Sequence, residues 1–522
     1  MACYDFILNT KAPQTDTILP RQLQLCPALP RIIGCKDYTD FDRELTRIDE
    51  LLRTSEVEAL FLRLSVEQLR AQAAKEARTL SPEDIARHRE QSRLALRCEI
   101  LRTLIGQISY RDMSLRLALS ARERQFCGIG ELDRVRVPSK SRLQTYTHWL
   151  PDETMRQILA QLLRSASTQA GSQRMGLAAQ IELDLLLMDT TCLEANIHFP
   201  IDWLLLRDAA RTLINAIKLI RRRGLCARMT TPETFLARMN KLSIGMAMAG
   251  RKTDSKKIKK AFLRTMKTLL DTIARHATRH RAELDKHWAQ TDLTRGQAEK
   301  ILRQIDHITA QLPAIKKQAH ERIIGGRLVD NADKILSLYE TDIHLIIRGK
   351  SGAQIEWGNT LHIAENADGL IIDHMLYREA GPGDPKILRE SIARIEALNL
   401  GTIHGIGTDK GFASRANSKI LSEKDIIDGT CPRDPGAHTE RLKTDPIFAA
   451  IQQRRAQTEG KIGNLKNDFL GGILRAKGYK NRTAAVNWAI LAHNLRKIAR
   501  LPQKQTGERE YIEEDDELME AA

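Results

Sequence analysis

Within a chain of largely helical patterning, the run Ile181-Glu182-Leu183-Asp184-Leu185-Leu186-Leu187-Met188-Asp189 has the texture of a buried strand that ends in an acid. A second run of this kind, Thr402 to Asp409, comes much later. Strands of this type in a helical chain confine the fold to a sheet flanked by helices. In the first run two acids compete. Asp184 and Asp189 are five residues apart, so strand alternation sends them to opposite faces. Asp189 stands at the carboxyl end of the run, where open α/β sheets place their ligands, and is the stronger candidate.

Other strands are expected at 335–339, 343–347, 359–364 and 369–377, with a turn at Arg348-Gly349-Lys350-Ser351-Gly352. Gly381-Pro382-Gly383-Asp384-Pro385 breaks the chain and opens a helix through 398, and a last helix spans 448–474. The expected class is α/β: a mixed sheet flanked by helices, an all-α insertion after the first strand, and an all-α N-terminal region. The N-terminal helical region spans 1–80, with Leu45, Ile48, Leu51 and Leu52 at helical spacing. Residues 81–165 form a helical group that resembles a helix-turn-helix. It opens on the capping sequence Ser81-Pro82-Glu83-Asp84, and its core is expected around Phe126, Leu115, Leu119 and Leu143. Its last helix starts Pro138-Ser139-Lys140-Ser141-Arg142, so Ser139, Lys140 and Arg142 can donate to phosphates and base edges in a major groove. Any small helical domain offers a helix of this sort. Residues 175–206 plus 326–500 form the sheet-bearing domain, interrupted by a basic helical insertion at 207–325, and 501–522 is an acidic tail expected to be disordered.

Charge separates these regions. Residues 207–322 hold 27 Lys and Arg against 10 Asp and Glu, a local excess that accounts for the whole net charge of +16. One segment carrying all the excess is how a polyanion-binding surface is built, although a solvated helical face is the plain alternative. Lys256, Lys257, Lys259 and Lys260 are its densest cluster, on a long helix at 255–288 that pairs with another at 293–323 as an antiparallel hairpin. No apolar stretch is long enough for a membrane-spanning helix. The start Met1-Ala2-Cys3-Tyr4-Asp5-Phe6 lacks a secretory pattern, and eight scattered cysteines read as reduced thiols, so a cytoplasmic protein is expected.

On the last helix, Phe448, Ile451, Ile462, Leu465 and Phe469 form the buried stripe, and Arg455, Glu459 and Lys466 cluster along its edge. Alone, this is compatible with an ion-pair ladder, because Arg455 and Glu459 are at i,i+4. With Asp189 and Asp409, Glu459 makes a third acid able to reach one spot. Carboxylates so close repel, and a divalent cation relieves the repulsion; hard oxygen donors suit Mg2+, with Mn2+ as a substitute.

These residues resemble those of the DDE-type transposases of bacterial insertion sequences. The likeness lies in Asp189-Thr190-Thr191 with Glu194-Ala195-Asn196-Ile197-His198-Phe199-Pro200, in Arg348-Gly349-Lys350, in Gly407-Thr408-Asp409-Lys410-Gly411-Phe412, and in Arg455-x3-Glu459-x6-Lys466. It covers 180–206 and 330–500. It departs from the family at Gln452, where a Tyr is expected, and has Gly460 and Gly463 inside the helix. The resemblance implies an RNase H-like catalytic domain in which Asp189, Asp409 and Glu459 are the catalytic and metal-holding acids. It implies an enzyme that binds terminal inverted repeats of double-stranded DNA, cuts the element's ends with a metal-activated water, and joins the freed 3′-hydroxyl to target DNA. No side-chain nucleophile is needed. Arg455 and Lys466 would contact phosphates, a homodimer on DNA is expected, and the protein would associate with the nucleoid when bound. A transposase-derived protein without activity, an RNase H-like nuclease or resolvase, and a helical scaffold protein remain as alternatives.

Overall fold

The computed structural model describes residues 29–30, 32–130, 135–250, 254–350, 353–472 and 474–504. The acidic run at 508–520 lies outside them. Among the described residues eight helices precede the first strand: α1 (Lys36–Thr54), α2 (Val57–Lys75), α3 (Pro82–Leu104), α4 (Tyr110–Leu119), α5 (Ala121–Cys127), α6 (Lys140–Tyr146), α7 (Asp152–Ser167) and α8 (Gln169–Arg174). Leu45, Ile48, Leu51 and Leu52 are buried on α1. At the start of α3, Ser81 and Asp84 form a reciprocal capping box, so two of the helix's orphan N–H groups are satisfied by the residues the sequence singled out.

The expected core of the helical group is corrected on one helix. Met113 and Leu117 are the buried pair of α4, while Leu115 and Leu119 are 58% and 75% exposed. Two apolar pairs share this helix at i,i+4 spacing about 160° apart, and only one can face Phe126 and Leu143.

Strand β1 (Leu185–Glu194) is followed by four helices: α9 (Asp202–Arg222), α10 (Pro232–Ala249), α11 (Ser255–His287) and α12 (Arg295–Ala319). They have a core of their own, with Leu213, Ile217, Leu270, Ile273 and Ile308 among its buried residues. Ion pairs Arg281–Asp306, at 2.6 Å, and Lys316–Asp271 tie α11 to α12 as an antiparallel hairpin, as the spacing predicted. On return from this insertion the chain does not form a strand at 335–339. Instead Ser337 Oγ accepts from the N–H groups of Tyr339 and Glu340, a local turn that competes with a ladder.

The other strands are β2 (His344–Lys350), β3 (Ala353–Asn366) and β4 (Ile371–Leu376), then α13 (Asp384–Ala397), β5 (Gly405–Thr408), α14 (Arg415–Glu423), β6 (Ile427–Thr430), α15 (Pro435–Thr444), α16 (Pro446–Asn464) and α17 (Tyr479–Ala499). The sheet is mixed, open and six-stranded, in the order β2-β3-β1-β5-β6, with β4 also on β3. β3 runs antiparallel to β1, β2 and β4, whereas β1, β5 and β6 are parallel. Both faces are covered: Ser391 of α13 bonds His362 on one side, and Thr458 of α16 bonds Glu365 on the other. The buried residues of the N-terminal helices, the sheet and α17 form one continuous core.

Two histidines are buried in β3 and β4. His362 bonds Ser391, which donates to Asp373, and His374 bonds Asn487. Burial pushes both imidazoles down to about 4, against the pull of Asp373 and, at His374, of the Asn487 hydrogen bond. Each ring is therefore neutral in the fold and gains a proton on unfolding below about 6.5. Stability should be full above that pH and fall toward pH 4 by up to about 1.4 kcal/mol per unit for each ring. Urea midpoints measured from pH 7 to 4.5 check this; a flat profile would mean that water reaches the rings.

Candidate active site

β1 is shifted along the chain relative to its apolar run, beginning at Leu185 and leaving Ile181 to Asp184 outside the strand. It continues through Glu194, so Asp189 lies inside the strand and not at its end, because β3 extends the pairing as far as Gly358. What does end there is the parallel ladder. β1 and β5 pair from Leu185 with Gly405 to Met188 with Thr408. Asp189 is the next residue of β1, and Asp409 is the first residue after β5. Both are half-buried.

Two backbone N–H groups fix these carboxylates. Asp189 Oδ1 accepts from Thr190 N at 2.7 Å, and Asp409 Oδ1 accepts from Gly411 N at 2.9 Å. A third acid stands close by. Thr190 Oγ1 donates to Asp384 Oδ1 at 3.2 Å, and Asp384 opens α13. A Cβ at Gly411 would lie 2.5 Å from Asp384 Oδ2 and 3.0 Å from Asp409 Oδ1, so the missing side chain leaves a cradle between two carboxylates. In the sequence, Asp384 was legible only as a helix start; nothing in its spacing tied it to Asp409.

Helix α16 covers this end of the sheet. Glycines admit it: a Cβ at Gly407 or at Gly429 would meet Ile451 Cγ2 at 2.6 Å. Gln452 Nε2 donates to the carbonyls of Gly429 at 2.6 Å and Thr408 at 3.4 Å, near the ends of the neighbouring strands β6 and β5. Its Oε1 accepts from Arg455 Nε at 3.2 Å. Gln452 thus seals the strand ends and holds the guanidinium beside the site. Burial raises the Cys431 thiol, with Arg455 and Lys410 acting against it and Asp409 adding to it, which places all four groups in one neighbourhood. Further along, Thr458 Oγ1 donates to buried Glu365 at 2.8 Å, and Glu459 is the next residue of the helix.

The expected helix to 474 is shorter. α16 ends at Asn464, and Leu465–Phe469 form a π-helical turn, so Lys466 lies outside the regular helical phase of Arg455 and Glu459. The buried stripe is as expected at Phe448, Ile451, Leu465 and Phe469. Open space surrounds the Cβ positions of Gly460 and Gly463, so packing does not require glycine there.

Compared with known protein families, curated proteins and solved structures, the chain matches none.

The remaining sequence candidates lie on other elements, α6 and α11. Ser139 is the N-cap of α6 and Lys140 is exposed, but Arg142 donates to Gln91 at 2.6 Å and stacks over Tyr146 and Trp149, so internal contacts engage it. Lys256 and Lys257 are exposed on α11, with Lys259 and Lys260 half-buried. His198 joins the insertion through Asp208 at 2.8 Å, and Phe199 packs on Trp357, so this part of the motif fixes how the chain enters the insertion. Among the described residues no three His, Cys, Asp or Glu side chains form a metal-holding group. The cradle at Gly411 lies between Asp409 and Asp384, and carboxylate oxygens of this kind are the hard donors that suit a cation keeping several of its own waters. No helix among the described residues is long and apolar enough to cross a membrane.

Proposed function

We propose that the chain is a DNA transposase of an insertion sequence, cutting DNA ends and joining them to a target at an RNase H-like site. The carrying observation is that Asp189 and Asp409 follow the last residue pair of the β1–β5 ladder, under the helix that bears Glu459. The strand order, with an antiparallel β4-β3-β1 group continued by parallel β5 and β6, supports the RNase H-like reading.

In this reading Asp189 and Asp409 would hold Mg2+ or Mn2+ from the sheet, and Glu459 would complete the set from α16. Such a cation, when bound, stabilises charge developing on a phosphodiester and makes water a stronger nucleophile. Thr190 N and Gly411 N keep the two aspartates oriented. Gln452 holds Arg455 where it can neutralise a phosphate beside the scissile bond, and Lys466 offers a second cation from the π turn. Hydrolysis would free a 3′-hydroxyl, and that hydroxyl would attack target DNA at the same place. Two copies of the chain would be needed to pair two ends. The basic insertion would grip DNA, with affinity falling steeply as salt rises.

The test uses the DNA that flanks the chain's own coding region. Purified protein should nick that DNA at one end sequence in Mg2+ and join the product to plasmid. Cleavage without joining would make it a nuclease of the same fold; neither reaction, in Mg2+ or Mn2+, rejects the enzyme.

A further inference from the structure

Helix α10 has a face that the rest of the insertion does not use. Met239, Ser243, Met246 and Ala249 are buried, and Gly245 lets Phe262 of α11 approach so closely that a Cβ would meet the ring at 2.8 Å. The opposite stripe is Ala237, Lys241, Ile244 and Met248, at i, i+4, i+7 and i+11. Ile244 is 57% and Met248 59% exposed. Single exposed apolar residues are ordinary; an adjacent pair on a rigid helical hairpin suggests contact with something.

The charge around this pair indicates what. Residues 234–270 contain ten Lys and Arg and a single acid, Asp254. Elsewhere the insertion neutralises its cations, as in Lys218–Glu233, Arg223–Asp292 and Arg281–Asp306. Among the described residues no ion pair involves Arg238, Lys241, Lys256, Lys257, Lys259, Lys260, Arg264 or Lys267. Lys259 Nζ stands 3.7 Å from the Cβ position of Gly250, at the end of α10 and within a turn of Met248. Uncompensated cations and protruding aliphatic side chains therefore occupy the same end of one hairpin.

We propose that this hairpin end is a DNA-bending wedge. Ile244 and Met248 enter a base step from the minor groove, and the surrounding cations hold the phosphates on either side. Aliphatic side chains that partly unstack a step and kink the duplex use this combination. A lipid surface fits less well, because a peripheral helix needs a continuous apolar face, and here the face beyond Ile244 and Met248 is spent on α9 and α11. The inference rests on the DNA reading above and specifies how one surface engages the duplex.

The experiment uses the full chain in EDTA, so that cleavage plays no part, with an end-labelled duplex of about 30 base pairs, too short to bend readily unaided. Wild-type protein should raise energy transfer between the labels. Ile244→Ala/Met248→Ala should bind within about threefold of wild type, since phosphates supply most of the affinity, yet leave the duplex straight. Both side chains are exposed, so an unchanged melting temperature is expected and verifies the fold. Lys256→Gln/Lys257→Gln/Lys259→Gln/Lys260→Gln should lower the slope of log affinity against log salt by about 3 to 4. An unbent wild-type complex, equal bending by the Ile244/Met248 variant, or binding to anionic vesicles but not to DNA each overturns the wedge. Bending without any cleavage in Mg2+ would retain the wedge and remove the catalytic reading; cleavage without bending would do the reverse.

Discussion

Asp189→Asn and Asp409→Asn proteins should each bind the flanking DNA with near wild-type affinity and lose about 10³-fold or more of its Mg2+-dependent cleavage. The magnitude follows from charge stabilisation of several kcal/mol at a bound cation, with each 1.36 kcal/mol worth tenfold in rate. Asparagine retains the shape and can still accept the hydrogen bonds from Thr190 N and Gly411 N, so the change isolates the charge. Asp384→Asn is the informative companion. Its side chain sits on the Thr190 side of β1, its amide oxygen can keep the Thr190 contact, and a loss under about tenfold is expected from one charge beside a cation site. Should Asp384→Asn instead match Asp409→Asn while Glu459→Gln cleaves normally, the third acid is the one that opens α13, and the assignment of Glu459 is wrong. Undiminished cleavage by Asp189→Asn or Asp409→Asn removes that residue from the site.

How far these positions were legible depends on the kind of signal each carried. Asp189 and Asp409 stood out because an apolar run that stops at an acid is a local signal, although at Asp189 the strand itself runs on. The run at 181–189 could not show that β1 continues to Glu194, since Thr190, Thr191 and Cys192 are short of the usual apolar character yet pair with β3. Ile335 to Tyr339 looked like a strand by composition, but the Ser337 hydroxyl captures two N–H groups that a ladder would need. On α4 the two faces were nearly equivalent in sequence, and only the position of Phe126 and Leu143 chooses between them. Asp384 and Gln452 were hidden for a different reason. What matters about them is a neighbour distant in the chain, Asp409 for one and the strand-end carbonyls for the other, and local pattern does not encode that. The π turn that displaces Lys466 likewise has no periodic signature.

The largest stability effect should come from a pair that carries no chemistry. Arg482 on α17 is fully buried and forms an ion pair with Glu340, itself 5% exposed, where the chain returns from the insertion. Arg482 Nε also donates to Asn359 Oδ1 at 2.8 Å, and Gly478 N donates to Glu340 at 2.8 Å, so three separate parts of the chain meet there. Arg482→Met should cost about 3–5 kcal/mol, because it leaves the Glu340 carboxylate buried without its cation. Glu340→Met should cost a similar amount for the converse reason. The double variant should recover most of that loss, because the desolvation of both charges goes with them, although Asn359 and Gly478 each lose a partner. Urea unfolding of the four proteins, read as a double-mutant cycle, measures the coupling. If Arg482→Met costs under about 1 kcal/mol, water must reach Glu340, and the junction between the insertion and α17 is looser than its burial indicates.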